Sequence, residues 1–225
     1  PAIDEGNDAA SLAQLAESIG QAASLLAQRQ GSDPTTITRS STAGVGEIAP
    51  MGSENWTRTS YGVYANAGGW GSTALGYAAT ASGRYSTAVG TSSNASGNDS
   101  TALGRLANAS GNYSTALGRL AKASGHGSTA LGSYATASGN YSTALGYRAN
   151  ANGLTSSALG FRAKAGGGST ALGAYANASG GYSMALGYNS KASGNYSTAL
   201  GRSARASGLV STALGSYANA SGWES

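Results

Sequence analysis

Small, apolar and polar positions repeat along residues 72–225 with a period of 14. The phrase Ser-Thr-Ala-Leu-Gly, or a one-residue variant of it, opens eleven copies: ten have 14 residues, and the copy at 156–168 has 13. The copies begin at Ser72, Ser86, Ser100, Ser114, Ser128, Ser142, Ser156, Ser169, Ser183, Ser197 and Ser211. A short fixed period over this length predicts a solenoid, in which each copy forms one coil. Positions within a copy are numbered from 1, starting at this serine.

The alternation within each copy predicts two short strands, because strand side chains point to opposite faces with period 2. Positions 2 and 4 (Thr and Leu) form one face of the first strand, and positions 1, 3 and 5 (Ser, Ala and Gly) the other. In the second strand, positions 8 and 10 are small and position 9 is always polar. We therefore expect an all-β fold, a parallel β-roll of 14-residue coils with five-residue strands. Its core contains Ala, Ser and Gly, and position 9 faces water.

Position 4 forms a row of apolar side chains, since it is Leu in ten copies and Val in the other. Such a row would be an exposed apolar ridge, which soluble monomers rarely tolerate. Burying each Leu contributes roughly 1.5–3 kcal/mol. The sequence therefore predicts a homo-oligomer that hides the row. Its predicted interface residues are Leu75, Val89, Leu103, Leu117, Leu131, Leu145, Leu159, Leu172, Leu186, Leu200 and Leu214.

The repeat resembles the head repeat of YadA-like trimeric autotransporter adhesins, in which the phrase reads Ser-Val-Ala-Ile-Gly. The resemblance covers about two thirds of the chain, and Thr stands at position 2 where the family often has an apolar residue. It implies a left-handed parallel β-roll and a parallel homotrimer. It also implies a virulence-associated head exposed at the outer membrane of a Gram-negative bacterium, without enzymatic activity. The partner would be a host extracellular-matrix protein or a cell-surface glycan or receptor. The membrane anchor would lie elsewhere in a longer exported chain.

The region before the repeats has a different pattern. Within the N-terminal segment 1–30, residues 9–30 have apolar positions at spacings of three and four, which predicts a short helix. This helix is either part of a trimeric coiled coil or a single helix packed on a neighbour. Residues 31–57 are rich in Gly, Ser, Thr and Pro and are interpreted as a connector. Residues 58–71 form a degenerate coil, since Gly62 lies 14 residues before Gly76. The head would therefore comprise residues 58–225.

The net charge of +4 is unevenly distributed. Residues 1–57 contain two basic and seven acidic residues, whereas residues 58–225 contain eleven basic and two acidic residues. The basic residues either keep the roll soluble or form an electrostatic surface for acidic ligands. Nine of them occupy variable positions and are the candidate ligand-facing residues: Arg105, Arg119, Lys122, Arg148, Arg162, Lys164, Lys191, Arg202 and Arg205.

Tyrosines recur in the predicted turns, where they either stack between coils or form a binding surface.

The chain has no Cys and one His, so we expect no catalytic or metal site, no cofactor and no nucleic-acid partner. The row of threonines at position 2 suggests an alternative function, that of an ice-binding solenoid. A second alternative is a structural spacer in a surface fibre. The adhesin head is preferred because it accounts for the period, the Leu row and the polar surface together.

Overall fold

The structure, a computed structural model, describes residues 50–51 and 56–225. The helix predicted in residues 9–30 and most of the connector lie outside the described residues. Within them, all regular secondary structure is strand. A short antiparallel pair, β1 (Pro50–Met51) and β2 (Trp56–Thr57), precedes two sheets of 12 strands each.

Successive coils contribute one strand to each sheet, and all neighbours within a sheet are parallel. The first sheet contains β3 (Thr59–Tyr61), β5 (Thr73–Leu75), β7 (Thr87–Val89), β9 (Thr101–Leu103), β11 (Thr115–Leu117), β13 (Thr129–Leu131), β15 (Thr143–Leu145), β17 (Ser157–Leu159), β19 (Thr170–Leu172), β21 (Met184–Leu186), β23 (Thr198–Leu200) and β25 (Thr212–Leu214). The second sheet contains β4 (Asn66–Ala67), β6 (Thr80–Ala81), β8 (Asn94–Ala95), β10 (Asn108–Ala109), β12 (Lys122–Ala123), β14 (Thr136–Ala137), β16 (Asn150–Ala151), β18 (Lys164–Ala165), β20 (Asn177–Ala178), β22 (Lys191–Ala192), β24 (Arg205–Ala206) and β26 (Asn219–Ala220).

The core lies between the two sheets and consists of small side chains. Alanines at positions 3, 8 and 10 and serines at position 1 are almost completely buried. Most of these serine hydroxyls donate hydrogen bonds inside the coil, as Ser142 Oγ does to the carbonyl oxygen of Gly139 at 2.6 Å. The buried Oγ atoms of Ser114 and Ser128 have no hydrogen-bond partner. The predicted all-β parallel solenoid with a core of small residues is therefore confirmed. The coil at 58–71 also stacks in register, since Thr59 pairs with Thr73 and Asn66 with Thr80.

The strands are shorter than the five residues predicted: they cover positions 2–4 and 9–10 only. The reason is the glycine at position 5, which has a positive φ, as in Gly104 (φ 133), and therefore leaves the extended conformation. A hydrogen bond from the Ala107 N–H to the Gly104 carbonyl closes a turn, and Leu106 within it has φ 58. A positive φ at the third of the four turn residues, here Leu106, is characteristic of a type II turn.

Both turns place non-glycine residues in the left-handed region, at positions 7 and 14. This conformation costs about 1–2 kcal/mol for an ordinary residue. It persists because stacking fixes it: the N–H of Arg148, for example, donates to the carbonyl of Ser133 in the preceding coil at 3.0 Å. An asparagine at position 13 adds a side-chain acceptor, since Asn140 Oδ1 accepts from the His126 N–H at 3.0 Å.

Two glycine positions allow the coils to approach one another closely. A Cβ on Gly118 (φ +132), at position 5, would lie 2.6 Å from the carbonyl oxygen of Gly132. A Cβ on Gly97, at position 12, would overlap the carbonyl of Gly111. Side chains at these positions would therefore push neighbouring coils apart, which explains why the repeat keeps glycine there.

The 13-residue coil keeps its place in both sheets. Ser157 pairs with Thr170 and Lys164 with Asn177, so the register shifts by 13 residues without slipping. The missing residue lies in the turn after β18, where residues 166–168 are all glycine. The predicted deletion in a turn is confirmed.

Candidate functional site

The predicted interface residues form one continuous apolar row along the outside of the first sheet. Each pairs in register with its equivalent in the next coil, from Leu75 to Leu214. Leu117 and Leu131 are both 36% exposed, whereas the alanines beside them in the same strands are fully buried. In the leading coil the row continues with Tyr61, which the sequence analysis did not include. This row is a candidate interface between subunits.

The threonines at position 2 lie on the same outer face as the leucines. Their row is interrupted by Ser157 and by Met184, which pairs with Thr170. Most of these threonines are partly buried. A mixed Thr and Leu face with two interruptions is a poorer match to an ice-binding surface than to an apolar interface.

All nine candidate basic residues are exposed, but they fall on two separate lines. One line, at position 9, runs along the second sheet. Its members are Lys122, Lys164, Lys191 and Arg205. The other line follows the turn after the first strand and consists of Arg105, Arg119, Arg148, Arg162 and Arg202. A further exposed base, Arg84, was not among the predicted residues and lies in the other turn.

Aromatic rings stack along the turn after the first strand. From Tyr134 through Tyr147, Phe161 and Tyr175 to Tyr188, successive ring centroids are 6.0, 5.4, 5.2 and 6.0 Å apart. The guanidinium groups of the neighbouring arginines lie over these rings at 5.1–5.9 Å from the centroids. The rings therefore pack between coils, as one of the two interpretations expected. Phe161 and Tyr175 nevertheless remain 40% and 41% exposed, so packing and ligand contact are compatible.

The lone histidine packs between two tyrosines of the other turn. The His126 ring centroid lies 5.4 Å from that of Tyr113 and 5.3 Å from that of Tyr141. Over the described part of the chain, no group of three or more His, Cys, Asp or Glu residues could hold a metal ion. Residues 50–51 and 56–225 also contain no helix long and apolar enough to cross a membrane.

Comparison with known proteins assigns the repeat to a family. The family described as YadA head domain repeat (2 copies) matches eight segments: 67–93, 95–121, 123–149, 137–163, 151–176, 165–190, 178–204 and 192–218. A search of the curated proteins gave no match. The matched segments cover most of the two-sheet roll and follow its coils. The chain therefore belongs to the YadA head domain family, whose repeats form the heads of trimeric autotransporter adhesins.

Proposed function

We propose that this chain is the head of a trimeric autotransporter adhesin, which attaches a Gram-negative bacterium to host cells or extracellular matrix without catalysing a reaction. The observation that carries the proposal is that each coil has nearly constant positions in its core and variable positions at its surface. Positions 1, 3, 5, 10 and 12 are nearly constant and build the core and the close stacking. Positions 6, 7, 9, 13 and 14 vary and are mostly at the surface. A constant scaffold with a variable surface is typical of solenoids that bind through extended surfaces.

The active form is a parallel homotrimer in which the Leu row is buried between subunits. The row extends over eleven coils and consists of side chains that are only partly covered within one chain. Identical rows on identical chains are hidden most simply by arranging the chains around a symmetry axis. A parallel arrangement would keep equivalent coils of the three chains at the same level.

The basic residues form the ligand-facing surface on this proposal. In residues 58–225 the acidic residues are Asp99 and Glu224, against eleven Lys and Arg. The roll therefore presents a positive field over its middle coils, from Leu103 to Leu200. Such a field favours acidic partners, such as sulfated glycans or acidic matrix proteins, and its effect weakens as salt rises.

Charge reversal at the two basic lines tests this assignment. One variant carries Glu in place of Lys122, Lys164, Lys191 and Arg205, and a second carries Glu in place of the five turn arginines. Attachment of each purified variant to immobilised sulfated glycan and to matrix protein is compared with that of the unaltered chain. We expect attachment to fall in at least one variant, and to fall in the unaltered chain as salt increases through about 0.15 M, where the Debye length is ~8 Å.

Melting temperatures provide the control, because exposed charges contribute little to folding. An unchanged melting temperature combined with weakened attachment supports the basic surface. If neither salt nor either reversal changes attachment, the basic residues are not the binding surface and the exposed turn tyrosines become the candidates. A head that attaches to no host surface at all would support the spacer alternative.

A further inference from the structure

The 13-residue coil opens a notch in an otherwise regular surface. After β18, three glycines complete a turn that most other coils build with a Ser-Gly pair, or with Asn152-Gly153 in the preceding coil, and two further residues. The resulting cavity has a volume of about 430 Å³ and spans three successive coils. Side chains of Asn150, Asn152, Lys164, Asn177 and Ser179 line it, together with the backbone at residues 165–166. Gly166 lines the cavity and has no side chain to fill it.

The lining groups are polar and include one positive charge. The carboxamides of Asn152 and Asn177 and the Ser179 hydroxyl can both donate and accept hydrogen bonds, and the Lys164 ammonium donates only. The Oδ1 atom of Asn150 is buried and has no hydrogen-bond partner. A second cation is close by in the sheet, because Lys191 pairs in register with Asn177. The acidic residues of the region 58–225, Asp99 and Glu224, are at least three coils away, roughly 14 Å at ~4.8 Å per coil. That separation exceeds the Debye length of about 8 Å, so the notch is electropositive.

The notch remains accessible if the Leu row is buried in a trimer. It is lined by the outward side chains that begin β16, β18 and β20 of the second sheet. The Leu row lies on the outward side of the first sheet, and the alanine core separates the two. An interface that covers the first sheet therefore leaves this face of the second sheet to solvent.

We propose that the notch binds a single acidic sugar unit, a pyranose that carries a carboxylate or a sulfate. Its volume is in the range of small-ligand sites, roughly 300–1,000 Å³. The Lys164 ammonium contacts the anionic group, while the carboxamides and the Ser179 hydroxyl bond to the ring hydroxyls. This inference deepens the proposed function, since it gives the head one defined subsite for acidic glycans within a longer basic surface.

Ligand binding at the notch is tested with variants whose new residues already occupy the equivalent positions in other coils of the chain. Inserting one Ser between Ala165 and Gly166 restores the 14-residue period and fills the gap. Lys164→Thr removes the ammonium, and Thr already occupies the equivalent position at Thr80 and Thr136. Arg84→Asn is the control, because it removes one exposed positive charge that lies outside both basic lines, and Asn already occupies the equivalent position at Asn98 and Asn112.

The assay is saturation-transfer NMR on the full chain with glucuronic acid, glucose 6-sulfate and neutral glucose as probes. We expect transfer to at least one acidic sugar above that to glucose, and the two acidic probes distinguish a carboxylate from a sulfate ligand. Lys164→Thr should weaken this binding about tenfold, as expected for loss of a charged hydrogen bond. The insertion should weaken it to a similar degree, because it fills the gap. Arg84→Asn should bind the acidic sugar as the unaltered chain does.

Two results would overturn the proposal. One is equal transfer to glucose and to both acidic sugars in the unaltered chain. The other is acidic-sugar binding that persists in Lys164→Thr, which decides the question even if the insertion fails to fold. Failure of the adhesin proposal would look different: the head would attach to no host surface while the notch still bound the free acidic sugar.

Discussion

Replacing part of the Leu row by aspartate should dissociate the head. The variant carries Asp at Leu117, Leu131 and Leu145, which lie in three successive coils and pair in register. These side chains are 36%, 36% and 39% exposed in the isolated chain. In the proposed trimer the exposed part of each is buried against another subunit.

The size of the effect follows from the exposed area. An exposure of this size leaves about 70 Å² of each leucine accessible, worth about 1.8 kcal/mol at ~25 cal/mol per Å². Three leucines therefore contribute about 5 kcal/mol per chain to association. Burying three carboxylates instead would add a further unfavourable term, because an unpaired charge is costly to desolvate.

A matched control uses leucines of similar or greater exposure outside the row. Leu106, Leu154 and Leu209 lie in turns and are 39%, 59% and 41% exposed. Their triple replacement by Asp introduces the same three charges without touching the first sheet. Both triple variants and the unaltered chain are compared by size-exclusion chromatography with light scattering and by circular dichroism.

We expect the control to keep the mass and melting temperature of the unaltered chain. The row variant should give dissociated, unfolded or aggregated chains. If the row variant keeps the same assembled mass and melting temperature as the control, the Leu row is not the interface and the argument from exposed apolar area is wrong.

Four further substitutions test the packing of the coils by chemical denaturation. Gly118→Ala should cost about 3 kcal/mol or more, from a strained φ and overlap with the glycine carbonyl of the next coil. Gly167→Ala should be nearly neutral, because its Cβ would enter open space; equal costs for the two would contradict the stacking argument. Val210→Asn should stabilise the chain by about 0.5–1 kcal/mol, since Val210 has φ 55 and Asn adopts this region more readily. Asn140→Ala should cost about 1 kcal/mol by removing the acceptor of the His126 N–H, and no loss would show that water replaces it.

The repeat pattern predicted the architecture because one period fixes every coil at once. Because Leu103 and Leu117 occupy the same position in adjacent coils, they pair in register. The same pairing in every coil produces the Leu row. The buried Ala and Ser positions were predicted equally well from the period-2 alternation. The helix in residues 9–30, the handedness of the roll and the trimer stay predictions.

The turns were less predictable because their conformation depends on stacking rather than on local preference. Residues such as Leu106 and Arg148 rarely adopt a positive φ, so their sequence gave no sign of it. Gly104 was assigned to a strand face although it begins the turn. The deletion in residues 156–168 was visible in the sequence. The notch was not, because it depends on side chains from three coils that only the stacking brings together.

We propose that this roll is one third of an assembled head, with its Leu row buried. Native mass spectrometry of the unaltered chain tests it most directly. We expect a species of about 66 kDa, three times the 21.9 kDa chain, which persists on dilution. A folded species of 21.9 kDa at all concentrations would contradict it, because the Leu row would then be stable in water without a partner.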